Sequence, residues 1–419
     1  MKLENKAPNY CATVVRIPAL QDLEGLDNLK GVAFFGGQAL VSKDYEVGTI
    51  GVVFMAETQL SKDFCHNNNL YRHHEFNKVK DPEKTGYLED NRRVKALKLR
   101  GNVSTAFFLK MECLEYLGID TSTLNVGDTF THINGQEICK KYVVRHRHEG
   151  MGNKTKGKTK KFTRITNRTF PEHWDTDNYW RNIDKFKDDD QVIVTQKLHG
   201  TSARFTHQLL QNKKPWYHHP LLWLGFDVRS EEWDTVCGTR RVIKDLGSHN
   251  SYYETDVWAK HLHEINDIIP QQYVLYGEII GWAGDKAIQK SYTYGLPQGQ
   301  SDLYIYRITI VNFNGFVFDM PWDQVKRFCD SYGLKYAPEL WRGPHKEFNS
   351  DLWIDIRFSE SGYPHAVPLV KEGIVDEGVC VRKEGWQPYV AKAKSPKFLL
   401  HETKMLDTGA VDTESEQGV

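Results

Sequence analysis

The sequence predicts an α+β protein with two domains, a small N-terminal β-barrel and a larger domain of antiparallel sheets and helices. The chain has 419 residues, which gives room for two or three domains. Strand-like runs in the first 140 residues are short and interrupted by glycine or polar turns. From about residue 170 to 400, strands alternate with a few helices. The hydrophobic fraction of 40% and charged fraction of 26% are typical of a globular protein.

Charge and cysteine content exclude several classes of protein. Lysine plus arginine and aspartate plus glutamate both number 55, so the chain lacks the uniformly basic surface of a nucleic-acid coat protein. The seven cysteines are scattered and never spaced C-x-x-C, which argues against a disulfide framework and a structural zinc site. The first ten residues show no apolar signal segment, and the longest apolar run is too short for a bilayer. We therefore expect a cytoplasmic, reducing location without membrane contact.

The first predicted domain covers residues 1–140. An Asn134-Gly135 pair between two short β-prone segments is a strong hairpin signal. A brief helix is predicted over 111–117, ending at Gly118. Strand-like runs lie at 12–17, 32–35, 49–55, 94–99 and 105–109. This pattern suits an OB-like barrel, a fold that often holds nucleic acid, although a plain structural barrel gives the same pattern.

A basic linker is predicted at residues 141–168. It is rich in lysine and arginine and lacks apolar periodicity, so it is either a solvated connector or a contact for a phosphate backbone. Residues 152–159 match the P-loop pattern G-x-x-x-x-G-K-T. Because no buried strand precedes this match and no amphipathic helix follows it, we interpret it as accidental.

The second predicted domain covers residues 169–402 and is followed by an acidic, disordered tail at 403–419. Pro321 and Gly333 bracket a helix whose apolar residues recur at helical spacing and face the core. The last residues are polar and acidic, a composition typical of disorder.

One lysine of this domain has the setting of a nucleophile. Residues 192–200 predict a buried strand that ends in the K-x-x-G sequence Lys197-Leu198-His199-Gly200. A lysine at the end of an apolar strand is costly unless it points into a polar site. Its amine becomes nucleophilic when burial or nearby cations remove the proton. K-x-x-G alone is weak evidence, because it occurs often by chance.

Further charged residues lie in predicted strands. Alternation places Glu278 and Glu377 among apolar residues, where a carboxylate needs a cation, a metal or a hydroxyl partner. Taken singly, each is best explained as an internal ion pair. Lys392 and Lys394 project from one strand face and repel each other unless an anion such as a triphosphate lies opposite.

In this order, the segments resemble the motifs of the covalent nucleotidyltransferase superfamily of ligases and capping enzymes. The lysine motif is followed by Gly238-Thr239-Arg240, Tyr276-Gly277-Glu278, Phe316-Val317-Phe318-Asp319, Glu377-Gly378-Val379 and Lys392-Ala393-Lys394. The extended matches at residues 197–202, 276–281 and 392–395, with 94–101 in the first domain, are similar to ATP-dependent RNA ligases that carry an N-terminal OB module. The resemblance implies a nucleotidyltransferase domain of the ATP-grasp-like ligase type after the barrel.

The resemblance also implies a mechanism and a site. Lys197 would attack the α-phosphorus of ATP to form lysyl-AMP, with Mg²⁺ or Mn²⁺ held through Glu377 or Glu278. AMP would pass to a 5′-phosphate, and a 3′-hydroxyl would displace it to join RNA ends or a nicked duplex. The expected partners are RNA ends or a nicked duplex and no membrane, and the protein is expected to be a monomer. The implied ATP- and AMP-binding residues are Lys197, Gly200, Arg240, Glu278, Phe318, Lys392 and Lys394, with Arg229 and Arg204 as rivals of Arg240.

Three other functions are less consistent with the sequence. A DNA ligase or capping enzyme places an OB domain after the K-x-K motif, and only 25 residues follow Lys394. A non-catalytic OB-type nucleic-acid-binding protein would have no need of the intact lysines and glutamates. A P-loop kinase or ATPase would act through Lys158, in the match already judged accidental.

Overall fold

A computed structural model describes residues 1–143, 164–211, 223–224, 231–244 and 256–408. The chain divides into two compact units, and only their described residues are considered below. Unit 1 contains Met1–Arg145, Asp177–Lys185 and Lys392–Val411. Unit 2 contains His146–Thr176, Phe186–Ala391 and Asp412–Val419. Most of the predicted linker and tail, including the P-loop match, lies outside the described residues, and the predicted domain boundaries stay a prediction.

The strands of unit 1 are short and mostly antiparallel. They are β1 Leu3–Glu4, β2 Ala12–Arg16, β3 Gln21–Asp22, β4 Leu29–Phe34, β5 Gly37–Ser42, β6 Ile50–Met55, β7 Thr58–Leu60, β8 Leu97–Leu99, β9 Asn102–Ser104, β10 Ala106–Lys110, β11 Thr129–Phe130, β12 His132–Ile133, β13 Gln136–Glu137, β14 Cys139–Lys141 and β15 Asp177–Asn178. The main sheet has the order β11-β2-β6-β10-β5-β4-β3. Smaller sheets are β1-β12-β13, β14-β7 and β8-β9.

The main sheet of unit 1 is open rather than a closed barrel. Within the described part of the chain, no strand pairing joins its edge strands β11 and β3. Both faces of its centre are covered: Val52 and Phe54 pack in one apolar cluster, while Val53 and Met55 pack in another. A strand buried on both faces is apolar throughout, which explains the continuous apolar run of β6. The predicted hairpin at Asn134-Gly135 forms between β12 and β13.

Three of the four α-helices in the described part of the chain begin at a capping residue. They are α1 Lys62–Asn67, α2 Val257–Ile265, α3 Trp322–Tyr332 and α4 Pro396–Asp407. Ser61, Asp256 and Ser395 cap α1, α2 and α4 through side-chain oxygens that accept backbone N–H groups. Helix α3 lies between Pro321 and Gly333 as predicted.

Short 3₁₀ helices connect many of these elements. The helix predicted over 111–117 is a 3₁₀ helix, and Gly118 ends it in the left-handed conformation that glycine adopts readily. The 3₁₀ segments are Pro8–Tyr10, His74–Phe76, Met111–Leu117, Thr121–Thr123, Ile183–Lys185, Asn266–Ile268, His345–Glu347, Ser350–Trp353 and Phe358–Glu360.

Helix α4 extends into the segment that the sequence assigned to a disordered tail. The fully buried Arg93 side chain donates to the Thr403 carbonyl oxygen and to Asp407, and it forms an ion pair with Glu57 at 2.7 Å. Burial raises the pKa of Glu57 to about 7 even beside this arginine. These contacts order residues 403–407, so the tail was predicted to begin too early.

Unit 2 is built on two antiparallel sheets. Its strands are β16 Gln191–Gln196, β17 Thr201–Gln211, β18 Glu231–Gly238, β19 Tyr273–Ala283, β20 Lys286–Ala287, β21 Ser301–Val311, β22 Val317–Asp319, β23 Lys335–Tyr336, β24 Glu339–Pro344, β25 Gly378–Lys383 and β26 Tyr389–Lys394. One sheet has the order β18-β17-β19-β21-β22, with β20 beside β19 and β23 parallel to β21. The other runs β26-β25-β16-β24, and β26 continues into unit 1 after Ala391.

The two faces of the larger sheet differ in character. One face carries Phe205 and Leu275 and is covered by Trp258 of α2 and Trp322 of α3. Because side chains alternate along a strand, Glu278 lies on the opposite face. The mixed, sheet-rich fold class predicted from the sequence is therefore confirmed. Within the described ranges, none of the helices has the length and apolar character needed to cross a membrane.

Candidate active site

Lys197 lies at the end of β16 and contacts a buried carboxylate. The strand before it is buried, and the Lys197 backbone N–H donates to the Gly378 carbonyl oxygen at 3.0 Å. Lys197 Nζ is 2.8 Å from Glu377 Oε1. The lysine side chain is 17% exposed and the glutamate side chain only 2%, so the pair is accessible from the lysine side. The predicted nucleophile and one predicted metal ligand are thus in direct contact.

The turn after Lys197 brings in the second predicted carboxylate. The Gly200 N–H donates to Glu278 Oε1 at 2.9 Å. A Cβ atom at Gly200 would lie 2.2 Å from the Ile279 carbonyl oxygen, so only glycine allows this close approach. His199 Nδ1 lies 3.5 Å from Glu377 Oε2. The structure therefore brings Lys197, Gly200, Glu278 and Glu377 together.

A buried hydrogen bond links the residues that precede Lys197 and Glu377. Gln196 Nε2 donates to Asp376 Oδ1 at 2.7 Å, and the other carboxylate oxygen of Asp376 accepts the Phe358 N–H. Gln196 Oε1 in turn accepts the Val367 N–H at 2.7 Å. Burial raises the pKa of Asp376 to about 6. Because each partner adjoins a site residue, this bond fixes the two chain segments relative to each other.

Replacing Gln196 by alanine should lower the free energy of unfolding of unit 2 by about 2–3 kcal/mol at pH 8, because a buried carboxylate loses a donor. The pKa of Asp376 is higher in the folded state than its ordinary value of 3.8, so stability is lost as pH rises from about 4 to about 6. Losing the amide raises that pKa further, so the effect of the substitution should be smaller at pH 5. Urea unfolding at the two pH values measures the difference.

The matched control is Gln298→Ala, which removes an exposed glutamine that donates to Asp285 at 3.2 Å. It should change the stability by less than about 0.5 kcal/mol at either pH. A Gln196→Ala loss that is equal at pH 5 and pH 8 would contradict a coupling to the Asp376 carboxylate.

The three arginine candidates have different surroundings. Arg204 pairs in register with Tyr276, two residues from Glu278 in β19, and is only 1% exposed. It donates to the carbonyl oxygens of Thr239 and Phe170, and burial lowers its pKa to about 10. Arg240 forms an ion pair with Asp175. Arg229 lies outside the described residues, so Arg204 is the candidate that shares the sheet face of Glu278.

Phe318 is not brought to this site. In the register of the sheet it pairs with Ile310, which pairs with Tyr273. Tyr273 and Glu278 are five residues apart on one strand, so they face opposite sides. Phe318 is also 48% exposed, on a short edge strand. The expectation that it stacks on adenine beside Glu278 is therefore not supported by its position.

Two tyrosines that the motifs did not identify lie on the same side of the larger sheet as Glu278. Tyr304 pairs in register with Glu278. The Tyr306 hydroxyl is 3.2 Å from the Ser202 hydroxyl, and Ser202 also pairs in register with Glu278. The sequence signal that could have identified them is the pair Tyr304 and Tyr306, two residues apart in β21.

Lys392 and Lys394 lie in unit 1, at the end of β26. The Lys392 carbonyl oxygen accepts the Tyr179 N–H, and Lys394 Nζ is 3.4 Å from a Glu402 carboxylate oxygen. Both lysines line a cavity of unit 1 together with Glu57 and Glu402. The predicted pair of lysines is therefore found at one cavity of unit 1, which two carboxylates also line.

The carboxylates near Lys197 suit a hard divalent cation. Across the described residues, no cluster of three or more His, Cys, Asp or Glu side chains could hold a metal by itself. Mg²⁺ is commonly bound by one or two carboxylates and takes its other ligands from water and phosphate oxygens. Glu377 and Glu278, both buried beside the Lys197 turn, fit that pattern for Mg²⁺ or Mn²⁺.

Comparisons with known proteins agree with this geometry. A model of the RNA ligase family matches residues 190–394. The structure resembles Naegleria gruberi RNA ligase solved with PPi, at a TM-score of 0.60, 16% identity, and coverage of 94% of this chain and 98% of that chain. A lysine-to-alanine variant of that ligase with ATP and Mn gives 0.58 and 16%, over 95% and 99% of the chains. At these identities the likeness shows a shared fold. No curated protein sequence matches the chain.

The shared fold, and the contact of a strand-end lysine with a buried glutamate, are consistent with the predicted covalent nucleotidyltransferase superfamily. Residues 190–394 match the RNA ligase family, and this match supports the prediction of an ATP-dependent RNA ligase.

Proposed function

We propose that this enzyme joins the 3′-hydroxyl and 5′-phosphate ends of RNA through lysyl-AMP and RNA-adenylate intermediates. The observation that carries the proposal is the 2.8 Å contact between Lys197 Nζ and Glu377 Oε1 at the end of a buried strand. The match of residues 190–394 to the RNA ligase family supports RNA as the substrate class. The structures of Naegleria gruberi RNA ligase with ATP and Mn and with PPi support ATP and a divalent metal as cofactors.

In the first step, Lys197 Nζ forms a bond to the α-phosphorus of ATP while the bond to pyrophosphate breaks. The Glu377 carboxylate is positioned to take up the proton that leaves the amine. Glu377 and Glu278 would hold Mg²⁺ or Mn²⁺, which supplies positive charge to the phosphate oxygens when bound. His199 lies beside Glu377 and keeps its carboxylate oriented.

Other residues are proposed to bind the nucleotide. Glu278 pairs in register with Ser202 of β17 on one side and with Tyr304 of β21 on the other. We propose that its carboxylate binds the nucleotide sugar. Tyr306 is the proposed aromatic contact for adenine in place of Phe318, because its hydroxyl reaches Ser202. Lys392 and Lys394 are proposed to neutralise the phosphates of the leaving group.

In the later steps, AMP passes to the 5′-phosphate of an RNA end and the 3′-hydroxyl of the other end displaces it. We propose that unit 1, with its open seven-stranded sheet, acts as the OB-like module that holds RNA ends or a nicked duplex. The predicted basic linker would add phosphate contacts, whose affinity falls as salt concentration rises.

The decisive experiment incubates the protein with α-labelled ATP and Mg²⁺ and follows the label on the polypeptide and then on a nicked duplex. We expect a labelled protein, and then sealing when the strands at the nick are RNA, with little sealing of an all-DNA nick. Efficient sealing of the DNA nick would favour a DNA ligase of the same superfamily. Absence of any labelled protein would favour a nucleic-acid-binding protein without catalysis, whereas a labelled protein that never passes its label to RNA would contradict the proposed ligation.

A further inference from the structure

A segment that no sequence motif identified contacts the turn that carries the nucleophile. Residues 288–294, between β20 and β21, are here called the tyrosine segment because they include Tyr292 and Tyr294. The segment is anchored at its start by the Ile288 N–H, which donates to the Gly281 carbonyl oxygen at 2.9 Å. Tyr292 and Tyr294 are both buried. The segment is therefore anchored in unit 2 by buried side chains at both of its ends, although Lys290 within it is exposed.

The backbone of the tyrosine segment is held in an uncommon conformation. Ser291 has a φ of 80° and Tyr294 a φ of 52°, both in the left-handed region that residues other than glycine rarely adopt. Such a residue is strained and persists only where the surrounding structure fixes it. Strained residues of this kind cluster at functional sites, so the contacts that fix them are informative.

Two side chains of the segment hold the peptide groups that follow Lys197. The Tyr294 hydroxyl accepts the His199 N–H at 2.8 Å. Gln289 Nε2 donates to the Gly200 carbonyl oxygen at 2.9 Å. Together with the bond from the Gly200 N–H to Glu278, these contacts fix the K-x-x-G turn on three sides.

A third side chain reaches the segment that carries Glu377. The Tyr292 hydroxyl donates to the Val375 carbonyl oxygen at 2.8 Å, two residues before that glutamate. The Tyr292 ring also meets the His199 ring edge to face, with centroids 5.0 Å apart. One short segment thus contacts both chain segments whose side chains meet at the 2.8 Å contact of Lys197 with Glu377.

We propose that Tyr294 and Gln289 are positioning residues for the formation of lysyl-AMP, holding the turn so that Lys197 Nζ stays aligned with Glu377. This inference rests on the proposed function. Displacing a reacting atom by about 1 Å can cost about a hundredfold in rate, so a hydrogen bond that fixes the turn has kinetic consequences. Neither residue touches the reacting atoms, so their effect acts through Lys197.

The test is Tyr294→Phe, which removes one oxygen and keeps the buried ring. Lysyl-AMP formation in a single turnover at saturating ATP should slow by roughly tenfold or more, the effect of losing the partner of a buried N–H group. The ATP concentration for half-maximal rate should change less than about threefold, because the substitution removes no group that is proposed to bind the nucleotide. Sealing of a pre-adenylylated RNA nick should also stay within about threefold, since Lys197 forms no bond in that step.

Two further variants keep the test decisive. Tyr363→Phe makes the same chemical change in the aromatic cluster with Trp353 and Phe358, and it should leave both rates unchanged. Gln289→Met, which keeps the length but removes the donor, replaces Tyr294→Phe if the latter does not fold, and the same selective loss is expected.

The outcomes separate the inference from the proposed function. If Tyr294→Phe and Gln289→Met slow adenylylation and sealing equally, or slow neither, the positioning role is wrong while the ligase function stands. If the unmodified enzyme forms no lysyl-AMP, the proposed function fails and the inference fails with it.

Discussion

Replacing Lys197 by alanine is expected to abolish lysyl-AMP formation, with labelling below about one part in 10⁴ of the unmodified rate. The alanine removes the only atom that the proposed mechanism bonds to phosphorus, so no residual covalent path remains. The measurement is transfer of label from α-labelled ATP to the polypeptide in the presence of Mg²⁺. Lys197 is 17% exposed at the end of its strand, so truncation leaves the folded core intact and circular dichroism should be unchanged.

The same variant separates chemistry from binding of the polynucleotide. Sealing of an RNA end that already carries AMP needs no new bond to Lys197, so this reaction should retain a measurable rate. The matched control is Lys158→Ala, in the P-loop match of the basic linker, which should label normally. Loss of labelling in the Lys158 variant alone would contradict the assignment of Lys197 as the nucleophile and would favour a P-loop enzyme.

The part of the site that could be predicted from the sequence is the part encoded by local patterns. A lysine after an apolar strand and a carboxylate before another are visible as alternation along the chain. The structure pairs these strands in register, with Gln196 opposite Val379 in β25, so the two strand ends meet. The ordered motifs supplied the long-range information by assigning both residues to one site, and their 2.8 Å contact is seen only in the structure.

The contacts that could not be predicted join residues far apart in sequence. The bond from Gln196 to Asp376 spans 180 residues, and that from His199 to Tyr294 spans 95. Nothing in the local pattern around Tyr294 indicates that its hydroxyl accepts an N–H group from the lysine turn. The same limit explains why Phe318 was assigned to the site. A short motif gives the residue type but does not give the sheet face on which the side chain lies.

The N-terminal part of the chain illustrates a different limit. Short strands with turns were predicted correctly, but whether a sheet closes depends on the pairing of its edge strands, which alternation does not specify. The predicted start of the tail, at residue 403, differs from the structure for a related reason. The end of helix α4 is held by the buried Arg93, which lies more than 300 residues earlier in the chain. The composition near the terminus does not reveal such a partner.

Replacing Glu377 by glutamine is expected to slow lysyl-AMP formation by a hundredfold or more. The substitution keeps the shape and the hydrogen-bonding oxygen but removes the charge that holds a divalent cation and accepts the lysine proton. Loss of one charged contact that acts in the transition state typically costs about 10²–10³ in rate. The fold should persist, because the amide has nearly the same shape as the carboxylate and the partly exposed Lys197 amine keeps a hydrogen-bonding oxygen beside it. Single-turnover labelling at saturating ATP is the measurement.

The direction of the change in rate distinguishes a catalytic carboxylate from a simple ion-pair partner. A carboxylate 2.8 Å from Lys197 Nζ favours the protonated amine, which is not nucleophilic. If Glu377 served only as that partner, its neutralisation would free the amine and labelling near neutral pH would become faster. If Glu377 holds the cation and takes the proton, labelling becomes much slower even though the amine is easier to deprotonate. As a control, Asp302→Asn neutralises the carboxylate of the 2.6 Å pair with Lys335 in the same unit and should leave the rate unchanged, so a general response to lost ion pairs cannot account for the result.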